Sequence, residues 1–222
     1  WGRSRFHRRR NGFAVLGHDI DPAAAQRLSQ YGVTAAPSPA ALAAVSDLVI
    51  VVTAFETEVE DVLFAANGVA AGAKAGTIVG IAATISPRGM RRFGERLSER
   101  GLVALDIPLC RGEPAAEAGQ LLIVGGGDGA AFERCRPALA TFADAIFHLG
   151  PAGAGQTGKM VNNLILWACI SANYEGLKLG ESLGVERAAM RAMLLESSGE
   201  NWALRSGAGD RPMPWAEKDM MI

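Results

Sequence analysis

Up to His148, short runs that are apolar on both faces alternate with helix-forming segments, and this rhythm limits the folds open to the chain more than any single residue does. Asp47-Leu-Val-Ile-Val-Val-Thr53 is the clearest run. It leaves no polar side, as expected of a strand covered by helices on both faces of a parallel sheet. Phe13–Gly17, Val33–Ala36, Thr77–Ile81, Leu102–Asp106, Gln120–Val124 and Ala145–His148 read as further strands. Between them, Asp21-Pro22 places a capping side chain and a first-turn proline at the start of a helix that Gly32 closes. Ser38-Pro39 opens a second helix, through Val45. Pro87–Arg100 and Ala130–Ala143 read as two more. The alternation predicts a doubly wound parallel α/β domain. After His148 no strand pattern appears: Lys159–Leu183 and Val185–Leu195 are helical stretches without proline, so the domain boundary is expected near Gly150–Gly155.

The composition narrows the function classes. With 222 residues, 49% hydrophobic, the chain can bury one sizeable core or one domain plus part of a second. A net charge of -1 gives no global electrostatic basis for nucleic acid or acidic membranes, although Trp1–Arg10 is locally basic. Cys110, Cys135 and Cys169 form neither a metal pattern nor a disulfide framework, which suits a reducing cytoplasm. His7, His18 and His148 are dispersed, so no metal site is expected. No secretory signal or membrane-spanning run is visible.

Residues 150–163 read Gly-Pro-Ala-Gly-Ala-Gly-Gln-Thr-Gly-Lys-Met-Val-Asn-Asn. A glycine-rich loop leads to a lysine that is expected to open a helix, and Lys159 and Asn163, four apart, share one helical face. A cation and an amide so placed can bind and protonate an oxygen. Gly153–Lys159 also fits the phosphate-loop spacing G-x-x-x-x-G-K, which would make the chain a nucleotide-binding protein. Met160 stands where that loop needs Ser or Thr for magnesium, and no strand follows, so this reading ranks last.

The second chemistry is hydride transfer. Gly153, Gly155, Lys159, Asn162 and Asn163 match, in register, the G-x-G-x-x-x-K-x-x-N-N pattern of the beta-hydroxyacid dehydrogenases, which the loop resembles. Three further segments resemble the same family in the same order. Thr84-Ile-Ser-Pro87 is similar to its S-T-I-S-P segment near the nicotinamide, with Ala83 replacing the first serine. Asp106-Ile-Pro-Leu-Cys-Arg-Gly112 is similar to its D-x-P-V-S-G-G turn, followed by Ala115–Gly119 and Gly125-Gly126. Trp215-Ala-Glu-Lys218-Asp219 is similar to its K-D motif. The family's G-x-G-x-M-G opening has no counterpart, whereas Asn11-Gly-Phe-Ala-Val resembles the family's next segment.

The resemblance implies a Rossmann-like doubly wound parallel sheet lacking its first strand over residues 1–154. Part of an all-helical substrate and dimerisation domain would follow over 155–222, with homo-oligomers formed by the longer parent chain. It implies Lys159 as acid/base and Asn163 as its catalytic partner. Cys110, Arg111, Gly112 and Asn162 would bind a small carboxylate substrate. Asp19, Thr53, Thr84 and Lys218 would stand on the cofactor side. Asp19 lies where an acid accepts the ribose hydroxyls and is followed by Ile20 rather than an arginine for the extra phosphate, so NAD is favoured over NADP. Cysteine is a poorer donor than the family's serine, and Arg111 brings bulk where glycine lets backbone approach closely. The expected activity is NAD-dependent interconversion of a small 3-hydroxy acid and its aldehyde acid, without nucleic acid or membrane. The rival is a non-catalytic fragment or interaction module, which the missing glycine-rich turn and the departures at Ala83, Cys110 and Arg111 favour and the retained Lys159, Asn162, Asn163, Lys218 and Asp219 oppose.

Overall fold

The computed structural model describes residues 12–207, which form two compact units dividing after Lys159. In the first unit, β1 (Leu16–Gly17) runs parallel to β2 (Thr34–Ala35). The helix between them, α1 (Pro22–Gln30), is capped by Asp21, whose carboxylate accepts the Ala23 and Ala24 N–H groups at 2.9 and 3.2 Å. Ser38 caps α2 (Pro39–Ala43), and β3 (Leu48–Val51) follows. Then come α3 (Glu56–Phe64), α4 (Val69–Gly72), β4 (Ile78–Ile81), α5 (Pro87–Ser98) and β5 (Val103–Asp106). Strands β3, β4 and β5 are parallel neighbours in sequence order.

The rest of the sheet departs from an all-parallel one. After β5 the chain forms a short β6 (Leu109–Cys110) and a seven-residue helix, α6 (Gly112–Ala118), neither expected from the sequence. It returns as β7 (Leu121–Gly127), antiparallel to both β5 and β6 on one edge, with β8 (Ala143–His148) parallel on the other. The reason is the length of the link. Only residues 111–120 join β6 to β7, fewer than the dozen or more that a crossover between parallel strands needs, so the strand must reverse. A full crossover through α7 (Gly129–Leu139) separates β7 from β8, and that pair is parallel.

Helices cover both faces of the sheet. Met90, Phe93 and Leu97, spaced along one stripe of α5, pack with Val49, Val51, Val79 and Ile81. Phe132, Cys135 and Leu139 of α7 pack with Leu105, Ile107, Leu121 and Ile123 on the other face. Between β1 and β3 the sheet is interrupted. A cavity of about 460 Å³ lies there, with Val15–Gly17 on one side and Leu48–Val52 on the other. Asp47 and Val51 carbonyls accept from β4, so the alternate residues Leu48, Ile50 and Val52 turn their N–H and C=O groups toward the gap. Among the described residues no segment pairs with that edge.

The long helix α8 (Ala154–Ser182) starts in the first unit and continues into the second. In the second unit α9 (Arg187–Leu195) is capped by Glu186, whose carboxyl the Ala188 and Ala189 N–H groups hold below its usual range. Asn201 caps α10 (Trp202–Ser206) and exchanges paired amide bonds of 3.0 and 2.9 Å with the buried Asn173. Among the described residues no helix is long and apolar enough to cross a membrane.

Candidate active site

The carboxyl ends of parallel strands are where open α/β sheets gather ligand-binding groups, because successive loops converge there. Thr53 follows β3 and Thr84 follows β4. Thr84 is exposed while its neighbours Ala83 and Ile85 are buried. Glu56, at the start of α3, ties these two loops together, accepting the Ser86 N–H at 3.0 Å and hydroxyl at 2.9 Å. Ser86 in turn caps α5 through the Gly89 N–H at 2.9 Å. Asp19, beyond β1, is exposed and accepts the Asp21 N–H at 3.1 Å. A carboxylate with this geometry keeps acceptor capacity for a hydroxyl.

β5 ends at Asp106, a fully buried carboxylate. Its Oδ1 accepts the Gly153 N–H at 3.0 Å and its Oδ2 the Gln156 N–H at 2.8 Å. These are donors that the first turn of α8 cannot satisfy within itself. The contact demands glycine on both sides of it. A Cβ at Gly126 would lie 2.6 Å from Oδ1, and one at Gly155 2.8 Å from Oδ2. Gln156, also fully buried, turns its amide the other way: its Oε1 accepts the Ile85 N–H at 3.1 Å and its Nε2 donates to the Ala83 carbonyl at 2.8 Å.

One turn further on, the half-buried Lys159 donates from Nζ to the Leu109 carbonyl at 2.6 Å and lies 3.8 Å from Cys110 Sγ. The lysine therefore does not open the helix, as the sequence implies. It stands in the second turn, because Asp106 captures the chain at Gly153 and starts the helix five residues earlier than Lys159. At that depth the positive end of the helix dipole, which acts mainly within the first turn, does little to disfavour the ammonium.

The structure thus joins Lys159, Cys110 and the turn at Arg111–Gly112. Cys110 is 6% exposed. Arg111 has φ +80°, the left-handed region, and is the one non-glycine there among the described residues. Its guanidinium is engaged by the Asp144 carboxylate and, at 2.9 Å, by the Gln120 carbonyl. Beyond the division of the units, Asn162 donates to the Asn163 side-chain oxygen at 3.2 Å. Lys218 lies outside the described residues. No group of three or more metal-binding side chains occurs among the described residues. Sequence reasoning missed Gln156 and Glu56. Their partners lie 30 to 73 residues away, and neither has a local signature.

Comparison with known proteins identifies the family. Residues 6–150 match the model of the NAD binding domain of 6-phosphogluconate dehydrogenase, and residues 153–218 that of the NAD-binding region of NADP-dependent 3-hydroxyisobutyrate dehydrogenase. An L-threonate dehydrogenase of Cupriavidus necator is 34% identical over 194 residues, covering 87% of this chain and 65% of the relative. An NAD-dependent L-serine dehydrogenase of Pseudomonas aeruginosa is 34% identical over 193 residues, with the same coverage. The structure of Mycobacterium tuberculosis 3-hydroxyisobutyrate dehydrogenase with L-serine superposes with a TM-score of 0.85 at 28% identity, over 100% of this chain and 76% of that one. The chain belongs to the beta-hydroxyacid dehydrogenase family and carries that family's NAD(P)-binding region. It spans about 65% of the length of the curated relatives it matches.

Proposed function

We propose that the protein of which this chain is part interconverts a small 3-hydroxy acid and its aldehyde acid with NAD, using Lys159 as the proton-transferring group. The observation that carries this is the placement of Lys159 Nζ against the β6 turn, 2.6 Å from the Leu109 carbonyl and 3.8 Å from Cys110. That turn would take the substrate carboxylate, with Cys110 and the Gly112 backbone as its donors. Lys159 would then meet the substrate's hydroxyl, giving up its Leu109 contact as it removes or returns the hydroxyl proton. Asn162 and Asn163 supply amides that orient the same substrate.

The residues present fit the cofactor at its ribose and nicotinamide ends. Asp19 is an exposed acceptor for ribose hydroxyls, and Thr53 and Thr84 stand at the carboxyl ends of neighbouring parallel strands. NAD, when bound, accepts the hydride from the substrate carbon. Asp19 followed by Ile20 supports NAD over NADP, since a carboxylate repels a 2′-phosphate. In the second unit Leu164, Ile165 and Leu183 are exposed, which supports a second copy as their cover.

Fluorescence titration with NADH and NADPH tests the cofactor reading, with tighter NADH binding expected and equal or reversed affinity counting against Asp19. Lys159→Ala should lower turnover by a factor of about 10² to 10⁴ while leaving NADH affinity within about twofold. Turnover close to the parent would remove the lysine from its role, whereas a parent without turnover on any small 3-hydroxy acid would favour the non-catalytic reading.

A further inference from the structure

We propose that Asp106 and Gln156 form a buried clamp that sets the position of Lys159, and that both are positioning residues for the proton transfer. This rests on the acid/base role just assigned to Lys159. The two side chains act from opposite sides on the same turn of α8. Asp106, at the end of β5, holds the turn by its backbone through Gly153 and Gln156. Gln156 holds the loop after β4 by its backbone, through Ala83 and Ile85. The first turn of α8, directly before the turn that bears the lysine, is thereby fastened to the ends of two adjacent parallel strands. One of the two loops carries Thr84 on the cofactor side, and the other leads within four residues to Leu109 and Cys110, where the Lys159 ammonium rests. The clamp registers three groups that must meet in one reaction: the cofactor loop, the substrate turn and the lysine.

The chemistry of the pair goes beyond helix capping. A serine or aspartate next to the helix in sequence would satisfy the same N–H groups, as Asp21, Ser38 and Ser86 do elsewhere in this unit. Here the cap comes from a strand 47 residues away, and Gly126 and Gly155 keep the space for it open. Among the described residues no ion pair engages Asp106. Both of its carboxylate oxygens are spent on the backbone of the one turn whose placement matters for Lys159. Gln156 is fully buried, and its amide meets one donor and one acceptor of a single loop, an arrangement that fixes distance as well as register.

The test uses the full chain with Gln156→Met, which keeps the volume and loses both amide bonds, and Asp106→Asn, which sets a side-chain amide N–H₂ donor against a backbone N–H. The chain has four lysines, so the acetylation rate of Lys159 under a short acetic anhydride pulse can be read by mass spectrometry, with Lys74 as the internal reference. In both variants Lys159 should label at least about fivefold faster relative to Lys74. With a hydroxy-acid substrate, kcat should fall about 10²-fold, its pH profile should move, and KM should change less than threefold, as displacement of a catalytic group by an ångström implies. Unchanged labelling and an unchanged pH profile in a variant that has only lost thermal stability would overturn the clamp and leave a purely structural pair. Should either variant fail to fold, hydrogen exchange in the parent chain decides: slow Gly153 and Gln156 amides support the clamp, and fast ones refute it. If Lys159→Ala retains turnover the acid/base reading fails instead, and the labelling rates still judge the clamp on their own.

Discussion

Arg111 occupies a backbone position that penalises any side chain. At φ +80° its Cβ crowds the backbone, a cost on the order of 1 kcal/mol relative to glycine. The ion pair with Asp144 does little to offset it, because both partners are more than a third exposed and such pairs contribute about 0–1 kcal/mol. Replacing Arg111 by Gly should therefore leave stability unchanged or raise it slightly, whereas Arg111→Ala keeps the strain and loses the pair. Thermal denaturation should rank Arg111→Gly above Arg111→Ala by about 1 kcal/mol; the opposite order would mean that the φ angle is not strained. Cys110 beside it was legible as a substitution in the substrate turn, but its closeness to Lys159 was not, since 49 residues separate them. At Cys135 burial pushes the thiol up, against a smaller opposing pull from Arg134. A raised thiol carries less thiolate at a given pH, so Cys135 should alkylate slowest at pH 8 and the half-buried Cys169 fastest. Peptide mass spectrometry after an iodoacetamide pulse reads that order, and a fast Cys135 would contradict its burial.

At the scale of elements, the apolar run Asp47–Thr53 announced β3 and its covered faces, and Asp21-Pro22 and Ser86-Pro87 announced the starts of α1 and α5. Each depends on neighbours in the chain: alternation, a capping oxygen, a fixed proline φ. The start of α8 was misplaced by five residues for the complementary reason. Its cap is Asp106, which the chain brings from another strand, and nothing between Gly150 and Lys159 marks Ala154 as the first helical residue. Strand β3 carries a prediction of its own. The amides of Val49 and Val51 face β4, while those of Leu48, Ile50 and Val52 face the cavity toward β1. Hydrogen exchange should therefore alternate along the strand, with Val49 and Val51 protected by at least about tenfold more than Leu48 and Ile50. Uniform protection would show that another segment occupies the gap.

For the molecule as a whole, the alternation of strands and helices determined an α/β architecture, and four motifs in order determined the family, because both are written in residues close together along the chain. The doubly wound sheet is mixed, parallel along β3, β4 and β5 but with β7 antiparallel to β5 and β6. The short link that forces the reversal runs from β6 to β7, and β6 itself had no local signature, so only the structure showed that the link is too short for a crossover. What only the tertiary structure decided is the assembly of the site. Lys159 meets the Leu109 carbonyl across 50 residues, Asp106 meets Gln156 across 50, and Gln156 meets Ala83 across 73. Local propensity acts over a few residues, so a sequence states which groups are present. Which buried donor faces which acceptor is settled when the sheet packs and each polar group, cut off from water, must find a partner among those the fold has brought near.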